Sequence, residues 1–92
     1  MRMADKKHVV AKRLIATREA LDLSQAEMSR ALKLKYQSDY NPFETGERLI
    51  TLKVATKLRA RFGVGLDWIY CGDPDDLPAN IREKIDLDAL AA

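Results

Sequence analysis

Apolar residues recur along this chain at three- and four-residue spacing, and prolines and glycines cut the pattern into short blocks. Proline occurs only at 42, 74 and 78, and glycine only at 46, 63, 65 and 72. Over residues 7–21, Val10, Leu14, Thr17 and Leu21 share one face, with Ala11 and Arg18 beside them and Lys12, Arg13 and Glu19 off the stripe. That pattern predicts an amphipathic helix of about four turns. A second helix is predicted to start at 24–25. Ser24 and Glu27 have the spacing of a capping box, and Leu23 and Met28 the spacing of a hydrophobic staple. Its buried face would be Met28, Ala31 and Leu32, and it would end near Leu32.

Residues 33–46 are less regular. Leu34, Tyr40 and Phe43 read as anchors, with Tyr36 as a fourth. Pro42 is poorly placed for a helix interior, because it removes a donor and clashes one turn back. A short or late-starting helix, with Ser38 as a late N-cap, would bring Pro42 into the first turn, where it costs less. The next block runs from Thr51 as N-cap to Gly63 as a C-terminal stop, with Leu52, Ala55, Leu58 and Phe62 as its apolar stripe. Residues 65–72 read as one more short helix closed by Gly72, with Trp68 and Ile69 buried. After a turn-rich loop over 73–78, one weak helix from Ala79 to about Leu90 is expected, using Ile81, Ile85 and Leu90. No run alternates in the manner of a strand. The expected fold is therefore all-α: a compact five-helix bundle over 8–72, a flexible arm over 1–7, and a tail over 73–92 with one short helix.

Composition narrows the chemistry. The chain has 92 residues, room for one domain, with an ordinary globular share of apolar and charged residues. One cysteine, Cys71, and one histidine, His8, supply neither an internal disulfide nor a four-ligand zinc site. No metal and no cofactor is expected. No apolar run approaches the roughly 20 residues of a membrane span, and the N-terminal charges are not followed by the apolar stretch of a signal peptide. A cytoplasmic setting is the expectation. Nothing resembles a nucleophile–base pair, a phosphate loop or a Ca²⁺ loop, so no catalytic residue is assigned, no enzyme is expected and no small-molecule ligand is evident.

Charge adds more through its distribution than through its sum. The formal total is +2, but residues 1–65 carry 14 Lys/Arg against 7 Asp/Glu, whereas residues 66–92 carry 2 against 7. A basic body with an acidic tail points towards a nucleic-acid partner. Lys53, Lys57, Arg59 and Arg61 read first as a solvated helix face. Two short helices joined by a tight turn describe a helix-turn-helix. In that arrangement the first helix offers its N-terminus to phosphate, which places Gln25 there. The second offers polar side chains to base edges. Gln37, Ser38 and Asn41 are of that kind, and Lys35 suits a phosphate or a guanine.

These residues carry a resemblance. The run from Leu21 to Leu32, the segment Phe43-Glu44-Thr45-Gly46-Glu47-Arg48, and the stretches Leu52 to Leu58, Ala60 to Val64 and Leu66 to Ile69 together resemble the lambda-repressor-like, Cro-type (Xre family) helix-turn-helix domain over roughly residues 8–72. The resemblance implies five helices, sequence-specific DNA binding, and a homodimer on a two-fold operator. It implies that Gln25 anchors a phosphate, that Arg48 makes a basic backbone contact, and that Arg18 and Glu44 form a buried structural ion pair. The chain departs from the family at the reading segment. Lys33 stands at the usual turn glycine, Lys35 or Tyr36 at the usual Ser/Thr cap, and Pro42 at a usual polar or basic position. One extra residue lies between Gln25 and Glu44, and residues 37–50 carry a local charge of −2 from Asp39, Glu44 and Glu47 against Arg48. The expected function is that of a small transcriptional regulator, repressor-like, binding double-stranded DNA. The alternative is a diverged domain of the same fold acting through protein–protein contacts, as a regulatory partner or antitoxin-like module.

Overall fold

The computed structural model describes residues 3–91. Among them every regular element is helical: α1 (Met3–Ala20), α2 (Gln25–Ala31), a 3-10 turn (Gln37–Asp39), α3 (Asn41–Thr45), α4 (Leu52–Phe62), α5 (Leu66–Cys71), a second 3-10 turn (Pro74–Asp76), α6 (Ala79–Arg82) and α7 (Leu87–Ala91). Helix α1 is longer than the 7–21 expected. The arm expected over 1–7 is helical from Met3, and its first two residues lie outside the described ones. No glycine or proline interrupts Met3–Ala20, and the Lys6 ammonium donates to the carbonyl of Tyr70 in α5, which ties the first turns down.

Local signals place most boundaries. Ser24 and Glu27 close the capping box from both sides, at 3.1 and 2.9 Å. Helix α4 starts on Thr51, whose Oγ1 accepts the Val54 N–H, and stops at Gly63 with φ 77°. Helix α2 ends in a reciprocal pair of hydrogen bonds, Leu34 N–H to the Ser29 carbonyl and Lys33 N–H to the Arg30 carbonyl. That motif puts its closing residue in the left-handed region. The residue there is Lys33, at φ 57°. A side chain with a Cβ pays for this conformation where glycine does not.

The third block departs from expectation. Ser38 does not cap a helix; it sits exposed in the 3-10 turn, and Tyr40 is the residue before α3. Pro42 is accommodated in the first turn of α3, where no intrahelical donor is lost. Tyr36 is 58% exposed and Leu52 61% exposed, so neither is a core anchor. Tyr36 precedes the turn with its N–H held by the Asp39 carboxylate at 3.1 Å, which aims the ring outward. Leu52 is the first residue of α4, directly after its N-cap Thr51.

One core joins all of this. Val10, Leu14, Met28, Leu32, Tyr40, Phe43, Ile50, Leu58, Trp68 and Ile69 are buried together, and Leu77, Ile81 and Ile85 of the tail belong to the same cluster. Each such side chain contributes about 1.5–3 kcal/mol by leaving water. The indole N–H of Trp68 donates to Thr17 Oγ1 at 3.0 Å, and that hydroxyl donates back to the Arg13 carbonyl at 2.6 Å. Thr17 thus lies on the apolar face of α1 because it is fully satisfied there.

The tail folds back as part of the body. Asp76 accepts the Asp67 N–H with its carboxylate and the Gly65 N–H with its carbonyl, both at 2.9 Å, and so closes the start of α5. A Cβ on Gly65 would stand 2.0 Å from that carboxylate, so this position needs glycine for space. The single tail helix expected over 79–90 is two. Asp86 Oδ1 accepts the Ala89 N–H at 3.1 Å and caps α7, which breaks the helix after α6. The described residues therefore hold seven α-helices, five before Gly72 and two after it, instead of five and one. No helix is long and apolar enough to cross a membrane.

Candidate nucleic-acid interface

Of the residues singled out from the sequence, Arg18, Gln25, Gln37 and Glu44 converge where α1, α2 and α3 meet. Their centre is the Glu44 carboxylate. Glu44 is 7% exposed, and helix α3 packs it against α1. Arg18 donates to it twice, from Nε to Oε2 at 2.8 Å and from its second terminal nitrogen to Oε1 at 3.1 Å. The remaining Arg18 nitrogen donates to the Leu23 carbonyl at 2.8 Å, in the turn before α2. Tyr40 Oη donates to Oε2 at 2.6 Å, and Gln25 Nε2 donates to Oε1 at 3.0 Å. Each carboxylate oxygen thus takes two hydrogen bonds, which uses the full accepting capacity of the group.

This saturation compensates a buried charge that would otherwise be costly. It also leaves its mark on its neighbours. The Glu44 hydrogen bond pushes the Arg18 guanidinium up, so it stays a cation. Burial, and then the bond to Glu44, pushes the Tyr40 phenol far above its ordinary value, so it remains a donor.

The polarity of the outer shell follows by compulsion. An ionised carboxylate only accepts, so Gln25 must turn its NH₂ inward to Glu44 and its oxygen outward. That oxygen then accepts from Gln37 Nε2 at 3.2 Å. Gln37 therefore keeps its own oxygen and a second N–H without a partner among the described residues, on the exposed 3-10 turn. An acceptor next to a donor is the pattern that pairs with the N6 and N7 atoms of adenine in the major groove.

The expected site residues divide accordingly. Gln25 is half-buried at the start of α2, with one amide hydrogen committed to Glu44; one hydrogen remains, so the free phosphate donor expected here is only half available. Gln37 and Ser38 are exposed, but they stand on the 3-10 turn and not on the second helix, which begins only at Asn41. Helix α3, with Pro42 in its first turn, has only five residues, two of them, Phe43 and Glu44, turned into the core. Asn41 is half-buried at its first position. Lys35 is exposed, its ammonium 5.4 Å from the centre of the Tyr36 ring. Arg48 is exposed in the loop after α3, and its N–H donates to the Pro42 carbonyl at 3.2 Å.

Two features were missed from the sequence. The Tyr40–Glu44 bond had a signal, since the two residues lie four apart and so on one helical face. The Gln37–Gln25 bond had none, because it crosses the turn between elements. Beside Ser38 and Arg48 a cleft of about 380 Å³ opens between the 3-10 turn and α4, with Lys53 and Lys57 on its far wall. Among the described residues no three potential metal ligands cluster.

Compared with family models, with curated proteins and with solved structures, the chain matches none.

Proposed function

We propose that the chain binds double-stranded DNA as a small transcriptional regulator, with α1–α5 arranged as a lambda-repressor-like helix-turn-helix domain. The observation that carries this reading is the Gln37 amide, held by Gln25 on a saturated Glu44 and left with an acceptor–donor pair facing solvent. A side chain fixed in that polarity reads a base edge at little entropic cost. Ser38 and Asn41 flank it as further base contacts, while Gln25, Lys35 and Arg48 take phosphates. Since the reading element is a 3-10 turn followed by a five-residue helix, it enters the groove by its tip. A homodimer would place two such tips on a two-fold operator.

A second reading is favoured by one observation. Residues 37–50 carry a local charge of −2, whereas a DNA-facing element is ordinarily basic. On that reading the same surface, with exposed Tyr36, serves a protein partner.

Selection of bound sites from a random duplex pool separates the two. DNA binding predicts enriched sites with two-fold symmetry, and Gln37→Ala relaxing the preference at one position of each half-site. If no duplex is retained at about 50 mM salt, the DNA reading is wrong.

A further inference from the structure

Helix α4 carries Lys53, Lys57 and Arg61 at successive four-residue intervals and no acidic residue at all. The three therefore form one stripe, a cation per turn. The two clefts on this side of the molecule share that stripe. The first holds Arg48, Lys53 and Lys57 and reaches Ser38 of the 3-10 turn. The second, of about 300 Å³, lies between α2 and α4 and holds Lys33, Lys57 and Arg61. Lys57, half-buried, lines both.

Arg61 lies over the Phe62 ring, 5.2 Å from its centre, but none of these cations is paired with a carboxylate among the described residues. The ion pairs among the described residues are Arg18–Glu44, Arg82–Asp75 and Lys84–Asp22, and none of the five takes part. The one carboxylate in either cleft, Asp39, accepts the Tyr36 N–H with one oxygen and forms no ion pair with Arg48, Lys53 or Lys57. Helix stability does not account for the stripe either. Arg61 stands in the last turn of α4, where a cation is favourable, but Lys53 stands in the first, where it is not. A solvated helix ordinarily mixes both signs, whereas an unbroken row of one sign repels itself until an anion covers it.

We propose that this stripe is a track for the phosphates of one DNA strand, with Lys57 as its central contact. A polyanion with a regularly repeated charge complements a cation on every turn, and the track is continuous with Ser38 and Arg48 at the reading tip. The inference rests on the duplex-binding reading above. It adds a strand contact running away from the groove along α4 and past the turn that follows α2.

The test is the salt dependence of duplex affinity, measured by fluorescence anisotropy on a selected site. It compares the wild-type chain with Lys57→Gln and with the triple variant Lys53→Gln, Lys57→Gln, Arg61→Gln. All three side chains are polar positions on a helix, so the variants should fold. Each lost phosphate contact flattens the slope of log affinity against log salt by about 0.9, so the loss over a fourfold rise in salt shrinks about threefold per contact. The ranking of bound sequences should not change, and Lys57→Arg should keep the wild-type slope. A triple variant with the wild-type slope overturns the track while leaving duplex binding in place. Absence of any duplex binding by the wild-type chain at about 50 mM salt overturns both. If the stripe instead receives the acidic residues 73–88 of a second copy, sedimentation will show salt-sensitive self-association that the triple variant abolishes. That result would also overturn the track.

Discussion

Helix α4 and the segment 33–45 lie against the same core, but different parts of the chain shape them. Helix α4 is closed at both ends by residues of its own span, Thr51 at the start and Gly63 at φ 77° at the end. Its buried side, Val54, Ala55 and Leu58, follows the helical period. The segment 33–45 has weaker local support, the Asp39 carboxylate on the Tyr36 N–H and Gly46 at φ 85° closing a helix of one turn. It opens on a lysine in the left-handed region, passes through a 3-10 turn and reaches a helix of only five residues. What fixes it is a carboxylate bonded to Arg18, 26 residues earlier in the chain, and to Gln25 in α2. A helix with good caps needs its neighbours only for burial. An irregular segment needs them for its shape, and that shape carries the exposed amide of Gln37.

Three substitutions probe that contrast. Glu44→Ala should have the largest effect. It strands the Arg18 guanidinium and two further donors, the Tyr40 hydroxyl and the Gln25 amide, and breaking a buried pair costs about 3–5 kcal/mol. A urea melt should show a loss of unfolding free energy of that size, read as the fall in midpoint times the slope m. Chemical shifts over 36–45 should move far more than those of α4; equal disturbance of both would mean that the segment does not depend on Glu44 in the way described. Thr51→Ala comes next, with a loss of about 1 kcal/mol from the missing N-cap. Its effect should stay within the first turn of α4, as seen by amide exchange, and spreading into 33–45 would argue against local closure. The smallest effect should be a gain. Lys33→Gly relieves the left-handed strain at φ 57° and should stabilise the chain by up to about 1 kcal/mol. If thermal melting shows a loss instead, the Lys33 side chain has a packing role that its exposure does not suggest.

The same division explains what could be read in advance. The capping box at Ser24 and Glu27, the N-cap at Thr51 and the glycine stops at 63 and 72 are local codes, and the structure holds helix ends at each. Arg18 and Glu44 were picked out as a pair through the family resemblance, since nothing in their separation alone links them. Where no local code exists, tertiary contacts decided. Tyr36 reads as an apolar anchor and Leu52 as part of the helical stripe with Ala55, Leu58 and Phe62, yet both face solvent. Ser38 had the chemistry of a cap, yet Asp39 takes the nearest free N–H. The tail reads as a separate acidic appendage because its charge is conspicuous; its apolar spacing at Ile81 and Ile85 predicts a helix but not that Leu77, Ile81 and Ile85 join the core of the body. The inward turn of the Gln25 amide was invisible, because it depends on where an acceptor-only group ends up.

The saturated carboxylate also has a consequence in time. The bonds from Arg18, Tyr40 and Gln25 meet on two oxygen atoms, so α3 does not swing outward without releasing all of them at once. Local opening of the segment should therefore be a single cooperative event, slow on the scale of loop motion, and not a gradual fraying. In native-state hydrogen exchange the amides of Tyr40 and Phe43, which bond back to the Gln37 and Tyr40 carbonyls, should share one opening free energy with the Gln25 side-chain amide that donates to Glu44. The exposed face of this region would then have two conditions only, assembled or undone.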